Sequence, residues 1–236
     1  MICPQRGLQV ILNEAYAATS PDLSNLVTKL RRARPDVIFH IGYFPDITLF
    51  LRQAREQGLR WKALIGHAAG YSQYDKLHAA LGDDVDDILN IDTAPAQLLD
   101  PAVLAPGMGD LVAEAVRRWQ AKKGEGQIPP NMFTGFGNTY LFLSEVVARA
   151  IREQGGYGPE QLRQAALSLD LPDGSDMEGY GVKFAGPDDP MAGQNLRSFA
   201  FVMQYTGGQT RIVYPPKFKT ADPVLPLPPG HTYAVR

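Results

Sequence analysis

The sequence predicts an α/β fold built on a parallel sheet. Three observations lead there. Short apolar runs alternate with amphipathic stretches through the first 90 or so of the 236 residues. The amphipathic stretches repeat their apolar residues at i, i+3, i+4 and i+7, the spacing of one helix face. The run at Val37 to Ile41 is apolar without clear alternation, as in a strand covered on both sides. Strands separated by helices pair in parallel, through crossover connections.

Residues 8–16, LQVILNEAY, read as the first strand. Ser20-Pro21-Asp22 then supplies a cap and a helix-starting proline, and Leu23, Leu26, Val27 and Leu30 line one face. Pro35 ends that helix. The strand Val37 to Ile41 stops at Gly42-Tyr43, and a second helix carries Ile47, Phe50, Leu51 and Ala54 until Gly58, a natural C′ residue. Ala63 to Ile65 forms a third strand, Tyr71 to Leu81 a helix, and Ile88 to Ile91 a fourth strand.

The character changes near residue 95. APAQLLDPAVLAPGMG reads as a connector, and helices follow. Val112, Ala115, Val116 and Trp119 mark one face; Leu143, Val146, Val147, Ala150 and Ile151 another; Leu162, Ala165, Ala166 and Leu169 a shorter third. A helical insert after a parallel sheet indicates that the chain has left one lobe for another. Phe199 to Tyr205 and Arg211 to Tyr214 then read as a hairpin about Gly207-Gly208. The tail from Pro215 to Gly230 holds six prolines and is expected to run as an extended strap.

Composition narrows the function classes. A net charge of −2 gives no broad face for a polyanion, so nucleic acid is not an expected partner. No apolar run approaches the roughly 18 to 20 residues that span a bilayer. The opening MICPQRGLQV lacks the pattern of a secretory signal. Cys3 is the lone cysteine, so neither an internal disulfide nor a cysteine-rich zinc site can form. His40, His67, His78 and His231 have no third ligand at metal spacing, and His40 and His67 read more simply as hydrogen-bonded imidazoles. GMG at 107–109 and GFG at 135–137 lack the dinucleotide-binding context. The expectation is no metal, no cofactor and no recognisable catalytic motif.

Position supplies the candidate site. In open α/β sheets, ligands bind beyond the carboxyl ends of the strands. Gly42 and Tyr43 follow one strand; Gly66, His67, Ala68, Ala69, Gly70 and Tyr71 follow its neighbour. The glycines would let a ligand approach the backbone. Tyr43 and Tyr71 could each offer an aromatic face and a hydroxyl. The helix starting near Pro45 would aim N–H groups at the crevice and favour an anionic group there. Read structurally instead, both tyrosines merely cover the end of the sheet.

The stretch DLSNLVTKLRRARPDVIFHIGYFPDITLFLRQAREQGL resembles the second lobe of the branched-chain amino-acid binding proteins, the type I periplasmic substrate-binding proteins of ABC importers. The shared pattern is Asp22-Leu23-Ser24-x-Leu26 at a helix start, Pro35-Asp36 before a strand closed by Gly42-Tyr43, and Leu51-Arg52-Gln53-Ala54-x-x-x-Gly58-Leu59. The resemblance implies a two-lobed fold whose Rossmann-like second lobe comprises residues 1–97 and 197–236, lacking its first strand and helix. Residues 98–196 would be the helical remainder of the first lobe. The missing strand would leave a sheet edge and apolar surface exposed.

The resemblance also implies a periplasmic solute-binding component, not an enzyme, with a small amino acid or a carboxylate- or amide-type solute held between two lobes and permease subunits as partners. Gly42, Tyr43, Gly66, His67, Ala68, Ala69 and Tyr71 are the ligand-binding candidates, with Tyr43 in the place of the family's ligand-contacting tyrosine. Family members that bind branched-chain amino acids pair the ligand ammonium with a glutamate after the third strand. Here Ala68 stands at or next to that place, and a charged hydrogen bond of about 1.5–3 kcal/mol is lost. A ligand-sensing regulatory domain of the same fold, or a truncated fragment without function, remains the alternative.

Overall fold

The computed structural model describes residues 3–67, 70–94, 96–124 and 128–235. The chain divides into two compact units. The first comprises Met1–Asp92 and Val202–Arg236, the second Thr93–Phe201; the boundaries expected from the sequence were 97 and 197.

In the first unit a five-stranded mixed sheet runs in the order β1-β2-β3-β4-β5. β1 (Val37–Ile41), β2 (Ala63–His67) and β3 (Leu89–Asp92) are parallel; β4 (Phe201–Thr206) and β5 (Gln209–Tyr214) form an antiparallel hairpin. Gly207 and Gly208 have φ of +58° and +75° at the turn, a conformation that costs glycine least. The helices are α1 (Ser24–Ala33), α2 (Phe44–Glu56) and α3 (Tyr74–Leu81).

Helix ends are set by local chemistry. Asp22 Oδ1 accepts the Ser24 N–H at 2.9 Å and so opens α1. α2 closes in a Schellman motif. Gly58, at φ +64°, donates its N–H to Arg55, and Leu59 donates to Ala54. Leu59 is itself buried, which supplies the apolar contact that accompanies this motif.

The core of this unit packs α1, α2 and α3 through Val27, Ile47, Phe50, Leu51, Leu64 and Leu77, all fully buried. Side chains of this size contribute about 1.5–3 kcal/mol each on burial. The C-terminal strap joins the core. Trp61 stacks on Tyr233 with centroids 4.3 Å apart, and the Tyr233 hydroxyl donates to the Leu51 carbonyl at 2.8 Å.

Three expectations need correction. Residues 8–16 form no strand, and Leu8, Val10 and Ile11 are half-exposed. Among the described residues nothing pairs with the outer edge of β1, so this apolar stretch has no ladder to join. Next, β1 is not covered on both sides. Ile38 and His40 are buried, whereas Phe39 and Ile41 are 60% and 70% exposed. It is an edge strand with one bare face. Finally, α3 begins at Tyr74 rather than Tyr71.

The second unit is mainly helical: α4 (Met108–Lys123), α5 (Pro130–Leu141), a π-helical turn at Phe142–Val147, α6 (Ala148–Gln154) and α7 (Pro159–Leu167). Two apolar clusters hold it, one around Val112, Ile128, Phe133 and Met177, the other around Val146, Ala150, Ala165 and Leu169. The i, i+3, i+4 faces read from the sequence supply residues to both. Among the described residues no helix is long and apolar enough to cross a membrane.

Candidate functional site at the strand ends of the first unit

The carboxyl ends of β1 and β2 lie in register, His40 beside Gly66 and Ile41 beside His67, and β3 continues with Asn90 and Ile91. Gly42 and Tyr43 leave β1 directly into α2. The segment after β2 returns to them: a Cβ on Gly70 would stand 2.7 Å from both the Tyr43 carbonyl carbon and the Phe44 nitrogen. The two tips named by the sequence therefore touch. Tyr43 is 65% exposed, and His67 is exposed at the end of β2. Ala68 and Ala69 lie outside the described residues.

Tyr71 departs from its expected role. Its ring is fully buried beneath β2 and offers no face to a solute. At Gly66 a Cβ would run into that ring, which by itself requires glycine there. The same holds for Gly42. A Cβ there would collide with Asp46 Oδ2 and stand 2.9 Å from the Tyr16 hydroxyl. Both glycines make room for the protein's own side chains.

Under these tips runs a polar chain. Tyr71 Oη lies 2.5 Å from His40 Nδ1; His40 Nε2 lies 2.8 Å from Tyr16 Oη; Tyr16 donates to Asp46 Oδ2 at 2.6 Å. Asp46 Oδ1 accepts the Tyr43 N–H at 2.9 Å. Burial pushes the His40 imidazole down to about 4, with the Asp46 charge opposing, so the ring is neutral at physiological pH. Burial also holds the Tyr71 and Tyr16 hydroxyls above the ordinary phenol range, and Asp46 adds to that on Tyr16 through their hydrogen bond. At the tip of β3, buried Asn90 donates to Ser72 Oγ at 2.9 Å, and Ser72 donates to Asp92.

Sequence reading missed Tyr16, Asp46, Ser72 and Asp92. Asp46 was accessible: an acid at the third helical position after Gly42-Tyr43 is the reciprocal half of a capping arrangement. Tyr16 gave no local sign, because its partners are 24 and 30 residues away.

Elsewhere, the second unit has a groove of about 560 Å³ between α4 and α5, walled by Trp119, Met132, Phe133 and Phe136 with Arg118 and Lys122. It contains none of the expected site residues. Asp176, also in that unit, is pushed up to about 7, chiefly by burial, with backbone N–H bonds opposing and the Glu178 charge adding. Among the described residues no group of three or more histidine, cysteine or acidic side chains could hold a metal ion.

The fold is that of the type I periplasmic binding proteins. A profile of the periplasmic binding protein family matches residues 2–209, and the chain belongs to that family. Leu/Ile/Val-binding protein homolog 8 of Brucella abortus (strain 2308) is 32% identical over 209 residues, which is 89% of this chain and 48% of the relative. The chain thus spans about half the length of the curated relatives it matches. Among solved structures, an extracellular ligand-binding receptor from Rhodopseudomonas palustris HaA2 superposes with a TM-score of 0.69 at 19% identity, covering 89% of this chain and 57% of that one. A fatty acid ABC transporter substrate-binding protein from Thermomonospora curvata gives 0.66 at 17% identity, covering 94% and 54%.

Proposed function

We propose that this chain serves solute uptake as the binding component of an ABC importer, taking a small amino acid or a carboxylate- or amide-type solute without covalent chemistry. Tyr43, His67 and Gly70 form the solute wall of the first unit, and ABC-transporter permease subunits are the partners. The observation that carries this reading is the bare Tyr43 ring at the tip of β1, on a backbone that packs against Gly70 of the neighbouring tip. Its place is what counts: open α/β sheets bind their ligands beyond the carboxyl ends of parallel strands, and this ring stands at such an end. Tyr71 drops out of the contact set, because its ring is enclosed.

The test is a thermal-shift panel of amino acids, short organic acids and their amides. A ligand that binds the native state raises the melting temperature in proportion to its saturation. At least one member of the panel should do so, and replacing Tyr43 should abolish the rise. A flat response across the whole panel would remove the support for solute binding.

A further inference from the structure

The first turn of a helix leaves N–H groups without partners and attracts negative charge. In α2 that place is taken. Asp46 lies within the first turn, is 3% exposed, and accepts the Tyr43 N–H on Oδ1. Its Oδ2 accepts from Tyr16. The expectation that this helix start favours an anionic solute group therefore meets a carboxylate already in position.

The direction of the polar chain can be derived. Tyr71 is enclosed, and its hydroxyl has His40 Nδ1 as its acceptor. Nδ1 then carries no proton, so Nε2 does and donates to Tyr16. Tyr16 has one proton, and it goes to Asp46 at 2.6 Å rather than to the Ile41 carbonyl at 3.2 Å. Reversing the chain would leave the buried Tyr71 hydroxyl proton without an acceptor, a costly arrangement. Every donor thus points toward Asp46, and both carboxylate oxygens accept. The donors that surround it, a phenol and a backbone amide, are neutral, as is His40 behind them.

We propose that Asp46 is a built-in anion, oriented by Tyr16 and His40, that makes the Tyr43 wall select against solute groups bearing negative charge. A group packed on Tyr43 lies within about one Debye length of that carboxylate and meets like charge. Neutral amide and cationic groups escape this repulsion. The consequence for solutes rests on the binding reading above; the occupied helix start does not.

Isocaproamide and isocaproate match in shape and differ in charge. By calorimetry the wild-type chain should bind the amide at least about tenfold more tightly. Asp46→Asn, which keeps an oxygen for the Tyr43 N–H, should narrow that ratio toward one. Tyr16→Phe, which keeps the carboxylate, should retain the preference. Equal or tighter binding of isocaproate by the wild type would overturn the inference. A second readout needs no solute: sulfate titrated against the backbone amide signals of Tyr43 and Phe44. The wild type should be silent and Asp46→Asn should respond. A wild-type response, or silence in both, would overturn the inference. If neither isocapro compound binds, the solute reading for this class fails, and the sulfate result alone decides whether Asp46 blocks the helix start.

Discussion

Gly66 lies directly over the ring of Tyr71, so close that no side chain fits between them. The absence of a side chain at this point of β2 leaves the space in which Tyr71 lies and reaches His40. Gly66→Ala should destabilise by about 1–3 kcal/mol, the usual cost of forcing atoms into a packed core. Gly135→Ala is the control. That glycine is exposed on α5 with nothing near its would-be Cβ, and alanine should stabilise there by about 0.5–1 kcal/mol. Urea unfolding of the two variants measures both.

His40 should make stability depend on pH. Its folded value, about 4, lies below the ordinary 6.5, so between these values the unfolded chain binds more protons. The contribution is fully present above pH 6.5 and is lost as pH falls through 6.5 toward 4. The shift corresponds to about 3 kcal/mol as an upper bound. Subtracting the unfolding curve of His40→Gln from that of the wild type, pH by pH, isolates this part. A difference that stays flat across the window would show that His40 is not held neutral.

What the sequence could reveal follows from the range of the forces involved. The helices between Ser24 and Leu81 were legible because stop glycines and apolar spacing act within a few residues, as at Gly58; their starts were less so, since Pro21 lies ahead of α1, which begins at Ser24. Residues 8–16 were not. Their apolar pattern suits a strand, but a strand exists only with a neighbour, and β1 has none on that edge among the described residues. Of the two tyrosines that could offer a ring to a solute, Tyr43 is exposed and Tyr71 is enclosed, a difference that only packing reveals, because Gly66 accommodates the ring of Tyr71. Tyr16 was unreadable for the same reason: its partners are distant in sequence.

The strap after Pro215 should prove necessary for the fold of the first unit. Tyr233 is fully buried, stacks on Trp61 and bonds to the Leu51 carbonyl inside α2. Tyr233→Ala should cost about 3–5 kcal/mol through lost packing. Tyr233→Phe removes only the hydroxyl and leaves the Leu51 carbonyl within its helix, so about 1 kcal/mol is expected. A cost near zero for the alanine variant, read from denaturant midpoints, would mean that the strap lies loosely on the sheet.

Tyr43 should behave in the opposite way. At 65% exposure its ring contributes little to the core, and Tyr43→Ala should change stability by no more than about 0.5 kcal/mol. Its backbone N–H still reaches Asp46 whatever the side chain, so the start of α2 is preserved. Any solute that packs on the ring loses an aromatic contact, and its affinity should fall at least about tenfold. Tyr43→Phe then separates ring from hydroxyl: full affinity assigns the contact to the aromatic face, and a loss as large as that of alanine assigns it to the hydroxyl. Calorimetry of both variants with the tightest ligand from the thermal-shift panel makes the comparison. A Tyr43→Ala variant that binds as the wild type does would move the solute wall away from the tip of β1.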